Sequence, residues 1–275
     1  MRVKDALACA QSLTDSDSPR ADIETLLMWV LNKPRSYLYT WPDADLSSAQ
    51  AEQFGELIEK RRQGEPVAHL VGFRDFWTLR LAVSNATLIP RPETEMLVEW
   101  ALEHLPSTAQ SVADLGTGTG AIALALASER PNWQIIASDR IPDAIELARR
   151  NALMLNLPQV DFRLGSWLEP LQETFHLILS NPPYIDPQDP HLDKGDVRFE
   201  PRSALVADEK GLADIRWIIT QAPPYLVSGG WLVFEHGFDQ AAEVRAIFEA
   251  QGYQDVFTRQ DLSGHDRITG ARTPH

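Results

Sequence analysis

The chain has 275 residues, 44% of them apolar, and a formal net charge of −14 at neutral pH. That length and composition allow substantial cores in one large domain or two smaller ones, and two are expected. The acidic balance repels phosphate backbones, so a broad nucleic-acid footprint would need a local basic patch, and none is evident.

From Met1 to about Gly72 apolar residues recur at helical spacing: Val3, Leu7 and Ala10, then Ile23, Leu26, Leu27, Val30 and Leu31, then Phe54, Leu57, Ile58 with Arg61. Breakers at Asp15 to Pro19, Asn32 to Pro34 and Trp41 to Asp45 divide this stretch into short helices, which predicts a small N-terminal helical domain over residues 1–72. Phe76 to Val83 alternates like a strand, Ser84-Asn85 offers turn chemistry, and Ala86 to Ile89 reads as a returning strand. Residues 73–91 are therefore predicted to be a β-hairpin linker.

Beyond Pro92, strand-like runs alternate with amphipathic helical patterns. The runs are Val112 to Leu115, Ile135 to Ser138, Val160 to Leu164, Leu177 to Leu179 and Leu232 to Phe234. This alternation predicts an α/β domain over 92–275, with a mostly parallel, doubly wound sheet covered by helices on both faces. Ile185 to Ala207 is a long acidic stretch without periodicity, which marks a functional or disordered loop.

Asp114-Leu115-Gly116-Thr117-Gly118-Thr119-Gly120 follows the first of these strands and opens the helical pattern Ala121 to Arg130. Glycines here permit a tight turn and let a ligand approach the backbone, although a Gly-rich strand-to-helix turn can also be purely structural. The next strand ends in Asp139, about 20 residues on, where an acidic side chain accepts hydrogen bonds from ribose hydroxyls. The spacing is Gly-x-Gly-x-Gly rather than that of pyrophosphate binders, and the carboxylate of Asp114 suits a cationic amino or sulfonium group better than a pyrophosphate. These features point to a nucleoside-bearing, positively charged cofactor.

The strand Leu177 to Leu179 leads into Asn181-Pro182-Pro183-Tyr184, at the carboxyl end where open α/β sheets bind ligands. Two prolines fix φ and remove two backbone donors, so neighbouring carbonyls can face a cleft. The Asn181 side-chain carbonyl and the Pro182 carbonyl can together accept both N–H bonds of an –NH2 group, with Tyr184 covering the planar group from one side. The bland alternative is a rigid Pro-Pro turn capped by asparagine over a packed tyrosine.

These residues resemble the class I methyltransferases that act on exocyclic or amide nitrogens. Within them the chain resembles the PrmC/HemK family of release factor glutamine methyltransferases. The resemblance covers nearly the whole chain and rests on the Asp114 to Gly120 loop, Ile89-Pro90-Arg91-Pro92-Glu93-Thr94-Glu95, Asn181-Pro182-Pro183-Tyr184-Ile185, Arg198-Phe199-Glu200-Pro201 and Glu235-His236-Gly237.

The resemblance implies a class I fold with a seven-stranded sheet. It implies that S-adenosyl-L-methionine is bound by Asp114, Gly116, Thr117, Gly118, Thr119, Gly120, Asp139 and Trp167, with Asn181 between cofactor and substrate and S-adenosyl-L-homocysteine as product. It further implies that Asn181, Pro182, Pro183 and Tyr184 hold a glutamine amide of a class I peptide chain release factor, methylated at N5 in a Gly-Gly-Gln motif. Asn181, Pro182 and Tyr184 carry the catalytic roles. One departure is Ser166, at a position where relatives often carry an acidic residue.

An amide nitrogen is a poor nucleophile and a sulfonium methyl is strongly electrophilic, so orientation should matter more than a base. The expected alignment brings the reacting atoms within roughly 3 to 3.5 Å. Glu93 and Glu95 suit a helix N-terminus as ordinary carboxylates. Arg91, Arg198 and Glu200 are candidates to order the cleft rim, and His236 follows a strand end.

Two other classes fit parts of the pattern. A nucleic-acid amino methyltransferase acting on adenine N6 or guanine N2 would use the same pocket on a flipped base, but acidic balance and the absence of a basic recognition module oppose it. An NAD-dependent oxidoreductase lacks the usual glycine spacing and leaves Asn181 to Tyr184 unexplained, and a non-catalytic cofactor-binding module also leaves that turn without a task. The single cysteine, Cys9, excludes an intrachain disulfide, and no Cys/His cluster has zinc spacing, so no metal is expected. With no apolar run of signal-peptide or membrane-spanning type, a cytoplasmic protein without membrane or direct nucleic-acid partners is expected.

Overall fold

The structure, a computed structural model, describes residues 1–274. They divide into two compact units: Met1–Phe73 with Pro190–Phe199, and Arg74–Asp189 with the chain from Glu200 onward.

The smaller unit is built from α1 (Val3–Ala8), α2 (Pro19–Leu31), α3 (Arg35–Thr40), α4 (Ser48–Arg62) and α5 (Val67–Val71). Pro19 sits at the first turn of α2, where its missing N–H costs nothing, and Asn32 at φ 50° closes that helix in the left-handed conformation. Ser47 caps α4: its Oγ accepts from the Gln50 N–H at 3.2 Å while the Gln50 side chain accepts from the Ser47 N–H at 3.0 Å. Ile23, Leu26, Leu27, Leu38 and Phe54 form its fully buried centre. The segment Pro190–Phe199 belongs to this unit rather than standing as a free loop. Arg61, almost buried, donates to Asp22 at 2.7 Å and to Asp196 at 2.6 Å.

The chain next forms a two-stranded hairpin of β1 (Phe73–Phe76) and β2 (Leu79–Ala82). The turn falls at Trp77-Thr78, inside the run read from sequence as one strand. Trp77 has φ 56°, and its N–H donates to Glu95 Oε1 at 2.7 Å. Alternating side chains conceal such a turn because its bend is held by a carboxylate 18 residues away. Ser84 does turn the chain, accepting from the N–H groups of Ala86 and Thr87, but Ala86 to Ile89 forms no strand.

The rest comprises α6 (Glu95–His104), β3 (Ser111–Leu115), α7 (Ala121–Glu129), β4 (Gln134–Asp139), α8 (Pro142–Met154), β5 (Asp161–Leu164), β6 (Phe175–Ser180), α9 (Asp208–Gly211), α10 (Ala213–Gln221), β7 (Leu226–Glu235), α11 (Ala241–Ala250), β8 (Gln254–Gln260) and β9 (Asp266–Arg272). The sheet order is β5-β4-β3-β6-β7-β9-β8, parallel except where β9 pairs antiparallel with β7 and β8. The α/β sheet is thus seven-stranded and mostly parallel, as expected, with β8 and β9 unforeseen.

Alternation along the strands explains why helices cover both faces. Val112, Leu177, Leu179 and Val233 join a core with α6, α7 and α8, while Ala113, Ile178, Leu232 and Phe234 join another with α10 and α11. Helix α7 is buried along nearly its whole length, which accounts for its run of Ala, Ile and Leu.

The stretch from Ile185 to Ala207 is ordered by short 3-10 turns at Pro190–Asp193, Gly195–Phe199 and Arg202–Ala204. A bridge between Ile185 and Val206 closes its base. Among the described residues, no helix is long and apolar enough to cross a membrane, and no group of three or more His, Cys, Asp or Glu could hold a metal ion.

Candidate active site

The chain runs from β3 outward through β4 and β5, then returns to place β6 and β7 on the other side of β3. The reversal between β3 and β6 opens a crevice at the carboxyl ends of the strands. Leu115 is in register with Ser180 and with Ser138, so the glycine loop, Asp139 and Asn181 leave the sheet side by side. The Ser180 hydroxyl donates to Leu115 O at 2.7 Å, and Ser138 O accepts from the N–H groups of Gly116 and Thr117, each at 2.9 Å.

The resulting open cleft has about 880 Å³ of empty volume. Gly116, Thr117, Gly118, Thr119, Asp139, Trp167, Asn181 and Pro183 line it, as do Leu88, Arg91, Thr94, Ile122, Arg140, Ile141 and Ser166. Sequence reasoning did not pick out Leu88, Thr94, Ile122, Arg140 or Ile141 for this cleft. Arg140 and Ile141 directly follow Asp139, and that adjacency was the available signal.

Gly116 has φ +71°, and a Cβ there would come 3.0 Å from the Trp167 ring. The glycine lets the indole lie against the loop. Trp167 is itself held: its carbonyl accepts from the Ser138 hydroxyl at 2.8 Å. Asp139 Oδ2 accepts from the Gly118 N–H at 2.9 Å and Oδ1 from the Ile141 N–H at 2.9 Å, so this carboxylate fixes the loop while retaining lone pairs toward the cleft. Burial pushes its pKa upward against those two donors.

Four residues expected at the site do not line this cleft. Asp114 is fully buried beneath the loop; its Oδ2 accepts from Thr117 Oγ1 at 2.6 Å and from the Ala123 N–H at 3.3 Å, tying the loop to the start of α7. It therefore does not present its charge to a cationic ligand, and burial pushes its pKa up to about 7. Gly120 packs as the N-cap of α7, where a Cβ would lie 3.0 Å from Leu124 and 3.2 Å from Ala148. Pro182 is buried and is not among the residues that line the cleft.

Tyr184, half-buried, packs against the core formed with α10 and α11, and its hydroxyl donates to buried Glu235 Oε1 at 3.1 Å. Burial raises the Tyr184 pKa well above the usual phenol range.

Glu235, 1% exposed, ends β7 and organises this corner. Its Oε2 accepts from Thr94 Oγ1 at 2.6 Å, and Thr94 Oγ1 accepts from Asn181 Nδ2 at 3.0 Å. Burial drives the Glu235 pKa upward while the Thr94 and Tyr184 donors oppose it. Gly211, at φ +85°, passes so close to the turn that a Cβ would sit 2.0 Å from Tyr184 O, which also accepts from Gln240 Nε2 at 2.9 Å.

At the rim, the buried Glu200 accepts from the Ile89 N–H at 2.8 Å and from the Arg91 guanidinium. Arg198 instead lies in the smaller unit and donates to Gly195 O and Gln63 O. His236 is buried, with Nδ1 near Gly237 O and Nε2 near Thr269 Oγ1, away from the cleft. Glu95 holds the Trp77 turn.

The sheet order and the crevice at its switch point define the fold as that of class I methyltransferases. A crystal structure of a methyltransferase from Pyrococcus furiosus shares it, with a TM-score of 0.56, 17% identity, and coverage of 80% of this chain and 98% of that one. Family models for the PrmC N-terminal domain and the methyltransferase small domain match residues 5–72 and 93–196.

Release factor glutamine methyltransferase of Aliivibrio fischeri is 54% identical over 263 residues, 94% of this chain and 93% of its own length. That of Vibrio cholerae is 56% identical over 256 residues, 92% and 90%. The chain belongs to the release factor glutamine methyltransferase family.

Proposed function

We propose that this protein transfers a methyl group from S-adenosyl-L-methionine to the side-chain amide nitrogen, N5, of the glutamine in the Gly-Gly-Gln motif of class I peptide chain release factors. The observation that carries this reading is the meeting of Asn181 with Gly116–Thr119 and Asp139 in one cleft. The cleft suits a nucleoside: Leu88, Ile122, Ile141 and Trp167 give it apolar walls, and Asp139 brings a carboxylate to its edge.

When bound, S-adenosyl-L-methionine supplies an electrophilic methyl on sulfur. The residues of the chain do the rest by holding and orienting. Asp139 accepts from ribose hydroxyls, Trp167 and Ile141 enclose the base, and the Asn181 Oδ1 accepts an amide N–H bond. The C–N bond forms as the C–S bond breaks, and nitrogen then releases one proton to solvent. That acceptor stabilises the positive charge that develops on nitrogen. The Glu235 contact to Tyr184 keeps the turn rigid.

The smaller unit serves in recognition. A glutamine side chain offers few atoms for selectivity, so discrimination among exposed glutamines requires contacts outside the pocket. A fragment beginning near Phe73 is expected to bind cofactor yet methylate intact release factor poorly. Because such a fragment leaves Asp196 without Arg61, thermal unfolding and cofactor affinity are measured beside methylation. A folded fragment that methylates as well as the full chain removes the recognition role.

The reading itself is tested by incubating the full chain with labelled cofactor and intact release factor, then mapping the label by mass spectrometry. Label on the glutamine amide supports it, and label on another residue, or only on nucleic acid, overturns it.

A further inference from the structure

A primary amide carries an acceptor and a donor of nearly equal size, so a 180° flip of Asn181 would replace Oδ1 with two N–H bonds at the same place. Facing a substrate –NH2 group, the flipped side chain would oppose donor to donor. The catalytic turn therefore needs something that selects one orientation, and neither proline beside Asn181 can do so, since neither has an N–H.

We propose that Thr94 and Glu235 are positioning residues that fix the Asn181 amide with its oxygen free for the substrate. The inference rests on the amide-methylation reading given above. Both oxygens of Glu235 receive donors, Thr94 Oγ1 at 2.6 Å on one and Tyr184 OH at 3.1 Å on the other, so the carboxylate acts as acceptor at each end. Thr94 has a single hydroxyl proton, and with Glu235 ionised that proton is committed to the carboxylate. What Thr94 can offer Asn181 is a lone pair, which binds the NH2 end and rejects the C=O end. Asn181 Nδ2 does lie 3.0 Å from Thr94 Oγ1, and no described group hydrogen-bonds to Asn181 Oδ1.

The polarity is thus transmitted from a buried carboxylate through one hydroxyl to the amide, and the same carboxylate holds Tyr184 at the other end of the turn. Thr94 sits where a 3-10 turn, Pro92–Thr94, meets α6, while Glu235 ends β7. The device consequently spans 141 residues of sequence.

The test uses the full chain, labelled cofactor and intact release factor. Thr94→Val removes the hydroxyl at nearly constant volume. Its single-turnover rate should fall at least about tenfold, with cofactor affinity and the substrate concentration for half-maximal rate each within about threefold of the native values. Thr94→Ser, which restores both donor and acceptor, should recover most of the rate, and Glu235→Gln, which can present the wrong polarity to Thr94, should be slow.

Should Thr94→Val lose cofactor binding, Thr94→Ala is read in its place. A native rate in the hydroxyl-free variant, or a Thr94→Ser variant as slow as Thr94→Val, overturns the inference. Failure of the native chain to label glutamine would instead overturn the functional reading on which it stands.

Discussion

The glycine loop and the Asn181 to Tyr184 turn leave adjacent strands of one sheet, yet they are held differently. The loop is local: Gly116 and Gly118 take positive φ, Ser138 O accepts two of its N–H groups, and Asp139 accepts a third. The turn depends on distant side chains, with Thr94, Glu235 and Gln240 reaching it from three other segments. The loop's geometry is set by backbone conformation and by the end of the neighbouring strand, whereas the turn's geometry is set by packing of the larger unit. Loss of tertiary packing should therefore damage transfer before it damages cofactor binding.

The sharpest way to break this asymmetry is Gly211→Ala. The added Cβ would meet the Tyr184 carbonyl at 2.0 Å, and an alanine at φ +85° carries about 1–2 kcal/mol of strain besides. Methyl transfer should fall by roughly 100-fold or more, while calorimetric cofactor affinity changes much less. Equal losses in both would mean that turn and loop are coupled more tightly than their hydrogen bonds indicate.

Asp139→Ala should act on the other side of the comparison. It removes a charge-assisted acceptor worth about 1.5–3 kcal/mol per hydrogen bond, so cofactor affinity should drop by at least about tenfold. Calorimetry on a folded variant that shows unchanged affinity would remove Asp139 from the cofactor site.

A smaller effect follows from Asp114, whose carboxyl burial pushes up to about 7. Its folded-state pKa lies above the unfolded value, so its contribution to stability is complete at acid pH and is lost as pH rises toward 7. Relative to Asp114→Asn, the native chain should lose on the order of 1–2 kcal/mol of unfolding free energy between pH 5 and 7. Parallel denaturation curves for both chains across that range would show that Asp114 does not titrate there.

Legibility in the sequence followed the same division. The parallel strands, the loop and Asp139 were readable because short-range constraints leave marks at fixed spacing: a strand, then glycines, then an acid at the next strand end. The hairpin turn at Trp77 was not, since a tertiary contact from Glu95 bends a run that alternates like a single strand. Strands β8 and β9 escaped because β8 is only half-buried and its pairing is broken by register shifts, which blurs the alternation. The hydrogen bond from Tyr184 to Glu235 was not legible, since no local pattern connects the two residues. Glu235 and Thr94 stood within recognisable motifs, but their roles emerge only from the polarity of a hydrogen-bond chain.

The role proposed for Asn181 is orientation. The direct measurement is the single-turnover rate of methyl transfer to intact release factor by Asn181→Ala, with cofactor and substrate saturating. A fall of roughly 100-fold or more, with the variant folded and its cofactor affinity little changed, is the expected result. A near-native rate under those conditions would contradict it.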